Sequence, residues 1–134
     1  MDLTEQELKE FLNKDRFAQF IGLKLLEVKP GYAVTQVEIQ EHHLNGFDHV
    51  QGGLTFTLAD LAFAAAANSH GRASVGINVS ICYFEAPKGK ILTATARELH
   101  KNAKLAGYDV DVVDELGTPV AKFTGLVYRK KQTL

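Results

Sequence analysis

A chain of 134 residues is the size of one domain, and 46% hydrophobic residues can build a core that needs neither disulfide nor structural metal. A net charge of -1 provides no cationic face for nucleic acid or for an anionic membrane. The single cysteine, Cys82, has no partner within the chain, which suits a reducing compartment.

The opening stretch, MDLTEQELKEFLNK, is acidic and amphipathic. It lacks the basic start and apolar run of a signal peptide, so a cytoplasmic location is expected. Thr4 and Glu7 have capping-box spacing, and Leu8, Phe11 and Leu12 form the apolar stripe of the helix they would start. Residues 17–21 read as a second short turn. Together these make an N-terminal helical segment, 1–21, of a single domain spanning 1–134. Segments 23–29 and 32–39 are β-rich and are split by the turn signal Pro30-Gly31, which predicts a hairpin.

A polar loop, 40–51, leads to Gly52-Gly53 and then to a helix over about 54–69 that is apolar on nearly every face. Such a helix is expected to be wrapped by the rest of the fold. Its apolar run is shorter than the ~20 residues that span a bilayer. His70-Gly71 ends it. Four strand-like runs follow, 73–84, 91–99, 107–114 and 120–128, and polar residues alternate through Tyr108-Asp-Val-Asp-Val-Val. Cys82, inside one of these apolar runs, is expected in the core. The element order predicts an α+β domain, an antiparallel sheet curled around one long helix.

The chemistry concentrates at that helix. Asp60 is the one charged residue between Gly52 and Asn68. An unpaired carboxylate on an apolar helix is costly, so it is either hydrogen-bonded structure or a perturbed active-site group. Gly52-Gly53 at the helix start could expose free N–H groups to an anion or a developing oxyanion, or simply shape the entry turn. Asn45 and Gln51 add neutral hydrogen-bonding groups in the loop before it. In combination they form an acyl-transfer set without a Ser or Cys nucleophile. The sequence carries no Gly-x-Ser-x-Gly elbow, phosphate-binding loop, dinucleotide fingerprint or zinc-type Cys/His pattern, so neither metal nor redox cofactor is expected.

The run Asn45-Gly-Phe-Asp-His-Val-Gln-Gly-Gly53, followed by Leu58-Ala59-Asp60, resembles the phenylacetic-acid-degradation (PaaI-like) branch of the hotdog thioesterases. The resemblance extends through Ala86-Pro87, Tyr108-Asp-Val-Asp-Val and residues 117–128, and covers roughly 15–130. It implies a hotdog fold and hydrolysis of acyl-coenzyme A, with coenzyme A part of the substrate rather than a cofactor. Asp60 would act as general base or nucleophile. The N–H of Gly52, with Gly53, would polarise the thioester carbonyl, and Asn45 would hold substrate or water. The resemblance also implies dimers whose sheets join, often paired into tetramers, and no metal. Gln51 stands where the family commonly has His, and it cannot carry a proton. Some related thioesterases place a water-holding Ser near the position of Gly76, where this chain offers only Asn78 close by. Lys101 and Lys104, in a basic turn, and Lys88 and Lys90, in a neighbouring loop, are the candidate contacts for the nucleotide of coenzyme A. A non-catalytic acyl-coenzyme A sensor on the same fold is the alternative, although the chain shows no helix-turn-helix segment. A hydratase of enoyl thioesters would need a different Asp/His motif.

Overall fold

The computed structural model describes residues 3–134, so Met1 and Asp2 of the N-terminal segment lie outside the described residues. Thr4 and Glu7 close the capping box of α1 (Glu5–Leu12): the Thr4 hydroxyl accepts from the Glu7 N–H at 3.1 Å, and the Glu7 carboxylate accepts from the Thr4 N–H at 3.3 Å. Asp15 caps α2 (Arg16–Phe20) by accepting from the Ala18 N–H. The hairpin follows as β1 (Lys24–Lys29) and β2 (Tyr32–Glu38), turned at Gly31, whose φ of 72° is the left-handed conformation that glycine adopts without strain.

One turn of 3-10 helix, Glu41–His43, and an isolated bridge between Leu44 and Val50 shape the next loop. The long helix α3 (Gly52–Asn68) begins at the glycine pair itself. Gly71, with φ 81°, then turns the chain into β3 (Arg72–Tyr83), followed by β4 (Ile91–Lys101), β5 (Leu105–Asp114) and β6 (Pro119–Thr133). All six strands form one antiparallel sheet in the order β1-β2-β4-β5-β6-β3. The chain runs through α3 between β2 and β3, so β3 lands on the edge opposite β1.

The sheet curls round α3, which touches every strand. Alternation in β5 puts Ala106, Tyr108, Val110 and Val112 inside, and leaves Asp109 and Asp111 outside the core. Phe63 of α3 meets Tyr108 and Phe123 with ring centroids 5.8 and 5.4 Å apart. A Cβ on Gly125 would come within 2.6 Å of the Phe63 ring. The Thr35 hydroxyl, fully buried on β2, donates to the Leu58 carbonyl at 2.9 Å and ties the sheet to the middle of the helix.

Two expectations need correction. α3 is not wrapped on every side. Gly53, Thr57, Asp60, Ala64 and Asn68, spaced three or four apart and therefore on one face, are exposed or half-buried. Cys82 is exposed rather than in the core. It sits on the edge strand β3, where no strand pairs on the outer side, and Val75, Ile77, Val79 and Tyr83 of the same strand are exposed with it. Apolar composition marked the strand correctly, but not whether anything covers it. Among the described residues no helix is long and apolar enough to cross a membrane.

Candidate active site

The loop before α3 is held by two side chains. His43 is buried. Its Nδ1 accepts from the Gln40 N–H at 2.9 Å, which leaves Nε2–H to donate to the Ile21 carbonyl at 2.7 Å. Asn45 accepts at Oδ1 from the N–H groups of Phe47 and His49, at 2.8 and 3.2 Å, so its carbonyl end builds the loop. Its Nδ2 donates to no described residue and remains available.

Gln51 is the N-cap of α3 with extended backbone, φ -62° and ψ 130°, and its side chain makes no capping bond. The N–H groups of Gly52 and Gly53 have no partner among the described residues. Two adjacent free amides at the start of a 17-residue helix form a site for negative charge, since the aligned peptide dipoles favour it there.

The glycine pair lies between two hollows. Asn45, Gly52 and Tyr83 border one of about 280 Å³, walled further on by Ala86 and Pro87. The Tyr83 hydroxyl donates to the Gly52 carbonyl at 3.0 Å, and a Cβ on Gly52 would lie 3.3 Å from that ring, which is why glycine suits the position. Gln51 and Gly53 open instead on a cleft of about 290 Å³ between α2 and α3, with Phe17, Ile21, Leu54 and Thr57. A Cβ on Gly53 would meet only ordinary van der Waals contact.

Asp60 stands on the open face of α3, half-buried, and hydrogen-bonds to no described residue. Desolvation, and secondarily the negative charge of Asp15, raises its pKa above the usual carboxylate value. Eight residues separate it from Gly52, roughly 12 Å along the helix at ~1.5 Å per residue.

Other sequence candidates are dispersed. Asn78 is exposed on β3, in a shallow hollow with Leu99 and Gly125 and away from the glycine pair. Lys88 and Lys90 flank the turn before β4, next to Ala86 and Pro87 of the first hollow. Lys101 and Lys104 lie at the other end of β4, roughly 33 Å away at ~3.3 Å per residue. All four lysines are exposed, and one chain does not bring the two pairs together.

Sequence reasoning missed Tyr83 and an acidic clamp. The buried Asp114 accepts at Oδ2 from the N–H groups of Lys88 and Gly89, and at Oδ1 from those of Leu116 and Thr118. Desolvation pushes its pKa up, but these bonds outweigh it and hold the carboxyl far below its usual range. Glu115 accepts from the N–H groups of Lys90 and Ile91, which lower its pKa. The two acids fix the turn that walls the first hollow. The parity of β5 was the available signal: Asp114 falls on the inward register of Tyr108, Val110 and Val112. Among the described residues no cluster of three or more potential metal ligands is present.

Comparison with known proteins fits this geometry. The family model described as the thioesterase superfamily matches residues 47–121, from just past Asn45 through both glycines and Asp60. The chain belongs to the thioesterase superfamily. An acyl-coenzyme A thioesterase, PaaI, of Escherichia coli is 33% identical over 125 residues, covering 92% of this chain and 89% of that protein. The solved structure of the E. coli PaaI protein superposes with a TM-score of 0.90 at 32% identity, covering 96% of this chain and 94% of that one. A Streptococcus pneumoniae protein described as a hypothetical thioesterase, solved with coenzyme A, gives a TM-score of 0.84 at 25% identity, over 93% and 98%. The long helix inside a six-stranded antiparallel sheet is thus the hotdog fold.

Proposed function

We propose that this chain hydrolyses acyl-coenzyme A to the free acid and coenzyme A, with Asp60 as the catalytic carboxylate. One observation carries the assignment: a half-buried carboxylate with no hydrogen-bond partner among the described residues, on the open face of an otherwise apolar helix. A raised pKa makes such a group a better proton acceptor than an ordinary carboxylate.

In this reading a water molecule attacks the thioester carbon and gives its proton to Asp60. The carbonyl oxygen takes up the negative charge under the N–H groups of Gly52 and Gly53. The tetrahedral intermediate then expels the coenzyme A sulfur, which recovers the proton from Asp60. Direct attack by the carboxylate, forming a mixed anhydride that water opens, uses the same residues. Asn45 positions water or carbonyl through Nδ2, and Gln51 contributes an uncharged hydrogen bond at the mouth. The exposed lysines meet the phosphates of the nucleotide, and coenzyme A enters as substrate. Aryl-acyl and medium-chain acyl groups are the substrate class, and the reading assumes a cytoplasmic setting.

The site is shared between two copies of the chain. A thioester oxygen must lie about 3 Å from its donors, and its carbon ~3–3.5 Å from the attacking atom. The ~12 Å between Gly52 and Asp60 of one helix is too long for that. A two-fold dimer with antiparallel helices brings Gly52 of one chain to Asp60 of the other. The exposed apolar edge of β3 supports such pairing, since sheets that join across it would cover Val75, Ile77 and Val79. Pairing of dimers into tetramers is part of the same reading.

The test is Asp60→Asn, assayed by release of free thiol from a panel of acyl-coenzyme A esters. The amide keeps the volume but neither takes a proton nor attacks carbon, so turnover falls by ~10²–10⁴-fold while binding persists. Retention of most of the activity would remove Asp60 from the mechanism. Binding of acyl-coenzyme A without turnover by the unaltered protein would favour the sensor reading instead.

A further inference from the structure

We propose that Tyr83 is a positioning residue of the thioester site: its hydroxyl orients and polarises the peptide group that presents the Gly53 N–H to the carbonyl oxygen. The proposal rests on the hydrolase reading above and adds to it a residue from outside the loop and helix that carry the glycine pair.

Each free amide at the helix start belongs to a peptide group whose oxygen accepts a hydrogen bond. The Gly52 N–H shares its peptide with the Gln51 carbonyl, which accepts from the Leu54 N–H at 2.9 Å, backbone to backbone. The Gly53 N–H shares its peptide with the Gly52 carbonyl, which accepts from the Tyr83 hydroxyl at 3.0 Å. In a trans peptide the C=O and N–H lie in one plane and point in opposite directions. A hold on the oxygen therefore sets the direction of the N–H and leaves the N–H end clear. Density drawn toward the oxygen also makes the N–H a stronger donor, because linked hydrogen bonds polarise one another. Of the two holds, the one from Tyr83 comes from a side chain and is open to substitution.

The sheet fixes where the hydroxyl stands. Tyr83 ends β3 and pairs with Ala121 of β6, and just beyond it the Phe84 N–H donates to the Val120 carbonyl at 2.8 Å. Alternation puts Tyr83 on the face of Ile81, which packs against the core. Its ring lies against Gly52, where a Cβ would come 3.3 Å from Cζ and from the hydroxyl oxygen. Desolvation raises the pKa of the phenol, so the hydroxyl keeps its proton at neutral pH. A carbonyl has no proton to give, so Tyr83 is the donor. One oxyanion donor is worth ~10²–10³-fold in kcat, and a linked bond strengthens its neighbour by ~10–30%; on the logarithmic scale that share is ~2- to 8-fold.

Tyr83→Phe removes the hydroxyl and keeps the ring against Gly52. The substrate is whichever of phenylacetyl-, benzoyl- and octanoyl-coenzyme A the unaltered protein hydrolyses with the highest kcat/KM. For that ester kcat should fall ~2- to 8-fold at an unchanged KM, since the N–H bond matters most once charge develops on the oxygen. An unchanged kcat, or a rise in KM alone, would overturn the proposal. So would a loss of ~10²-fold or more, which would make the hydroxyl a direct contact of the reacting atoms. Infrared spectra supply a readout that does not need turnover. The ester, labelled with heavy carbon at its carbonyl, is bound to Asp60→Asn with and without Tyr83→Phe. The carbonyl band should lie at higher frequency in the double variant, because a weaker donor polarises it less. A band at the same frequency in both would sink the proposal even where kcat falls. If the unaltered protein hydrolyses none of the three esters, the hydrolase reading fails and takes the proposal with it. If Asp60→Asn abolishes hydrolysis while Tyr83→Phe changes neither rate nor band, the reading stands and the proposal alone falls.

Discussion

Complementation between two dead variants tests the shared site directly. One parent is Asp60→Asn. The other is Gly52→Pro, which deletes an N–H at the first helical position, where proline fits an α-helix. The backbone of Gln51, with ψ 130°, is already extended as a residue before proline requires. The added ring atoms approach Tyr83, since a Cβ there lies 3.3 Å from its ring, so the Tyr83 side chain must yield by a few tenths of an ångström. Each parent alone should lose ~10²-fold or more. After subunit exchange at equal concentrations, about half of the dimers are mixed, and each mixed dimer has one site built from two intact halves. The expected recovery is therefore about a quarter of normal thiol release, measured with the same acyl-coenzyme A and with mass spectrometry counting the mixed species. If each site lay within one chain, every site would carry one defect. Mixed dimers that form, fold and stay inactive would refute the reasoning.

Asp60→Asn should also raise stability at neutral pH. The folded-state pKa of Asp60 lies above the unfolded value of about 3.9, so its effect is absent below that pH and stability is lost as the pH rises through the folded pKa; melting curves from pH 4 to 7 should show the variant's advantage growing with pH, and no advantage at pH 7 contradicts this. Asp114→Asn should act in the opposite sense, because the native carboxylate accepts four backbone N–H groups. The variant is less stable at pH 7, and its deficit narrows as the pH falls below about 4, where the unfolded chain takes up the proton that the folded carboxylate still refuses; a deficit independent of pH would exclude a charge effect. Thr35→Val removes the donor to the Leu58 carbonyl and should cost ~1 kcal/mol in urea denaturation. Gly125→Ala drives a methyl to 2.6 Å from Phe63 and should cost ~1–3 kcal/mol; an unchanged urea midpoint would show that the ring moves freely.

The fold was legible wherever a local rule operated. Thr4 and Glu7 form the capping box their spacing predicts, Pro30-Gly31 turns the hairpin, and the alternation from Tyr108 gives the correct inward face of β5. What escaped depends on which element covers which. Apolar composition makes α3 look buried on all sides and Cys82 look like core, but cover is a property of the packed sheet. The candidate site shows the same division. Asn45 and Gly52 are near in sequence and share a hollow, and Gln51 and Gly53 share the cleft beside it. Lys88 and Lys101 look close on a sequence line, yet strand β4 extends between them at full length. Tyr83 could not be found from sequence, because its bond to Gly52 spans 31 positions and has no local motif.

The sheet order also bears on how the chain folds. Strands β4, β5 and β6 are successive antiparallel neighbours and can pair as they emerge. β3 pairs with β6 alone, in contacts that join Tyr83 to Ala121 and Arg72 to Thr133, 38 and 61 positions apart. That closure is long-range, as is the pairing of β2 with β4, which joins Glu38 to Ile91 and Tyr32 to Arg97, 53 and 65 positions apart; these two carry the large loop-entropy costs in the sheet and belong to the slow, late part of folding. Until β6 is made, the apolar β3 waits without a partner, and the newly synthesised chain is open to aggregation through that segment. Amide hydrogen exchange should find the pairing of β3 the first to open and β4–β5 the last. The strand that the proposed dimer joins would then be the one that a second chain most strengthens.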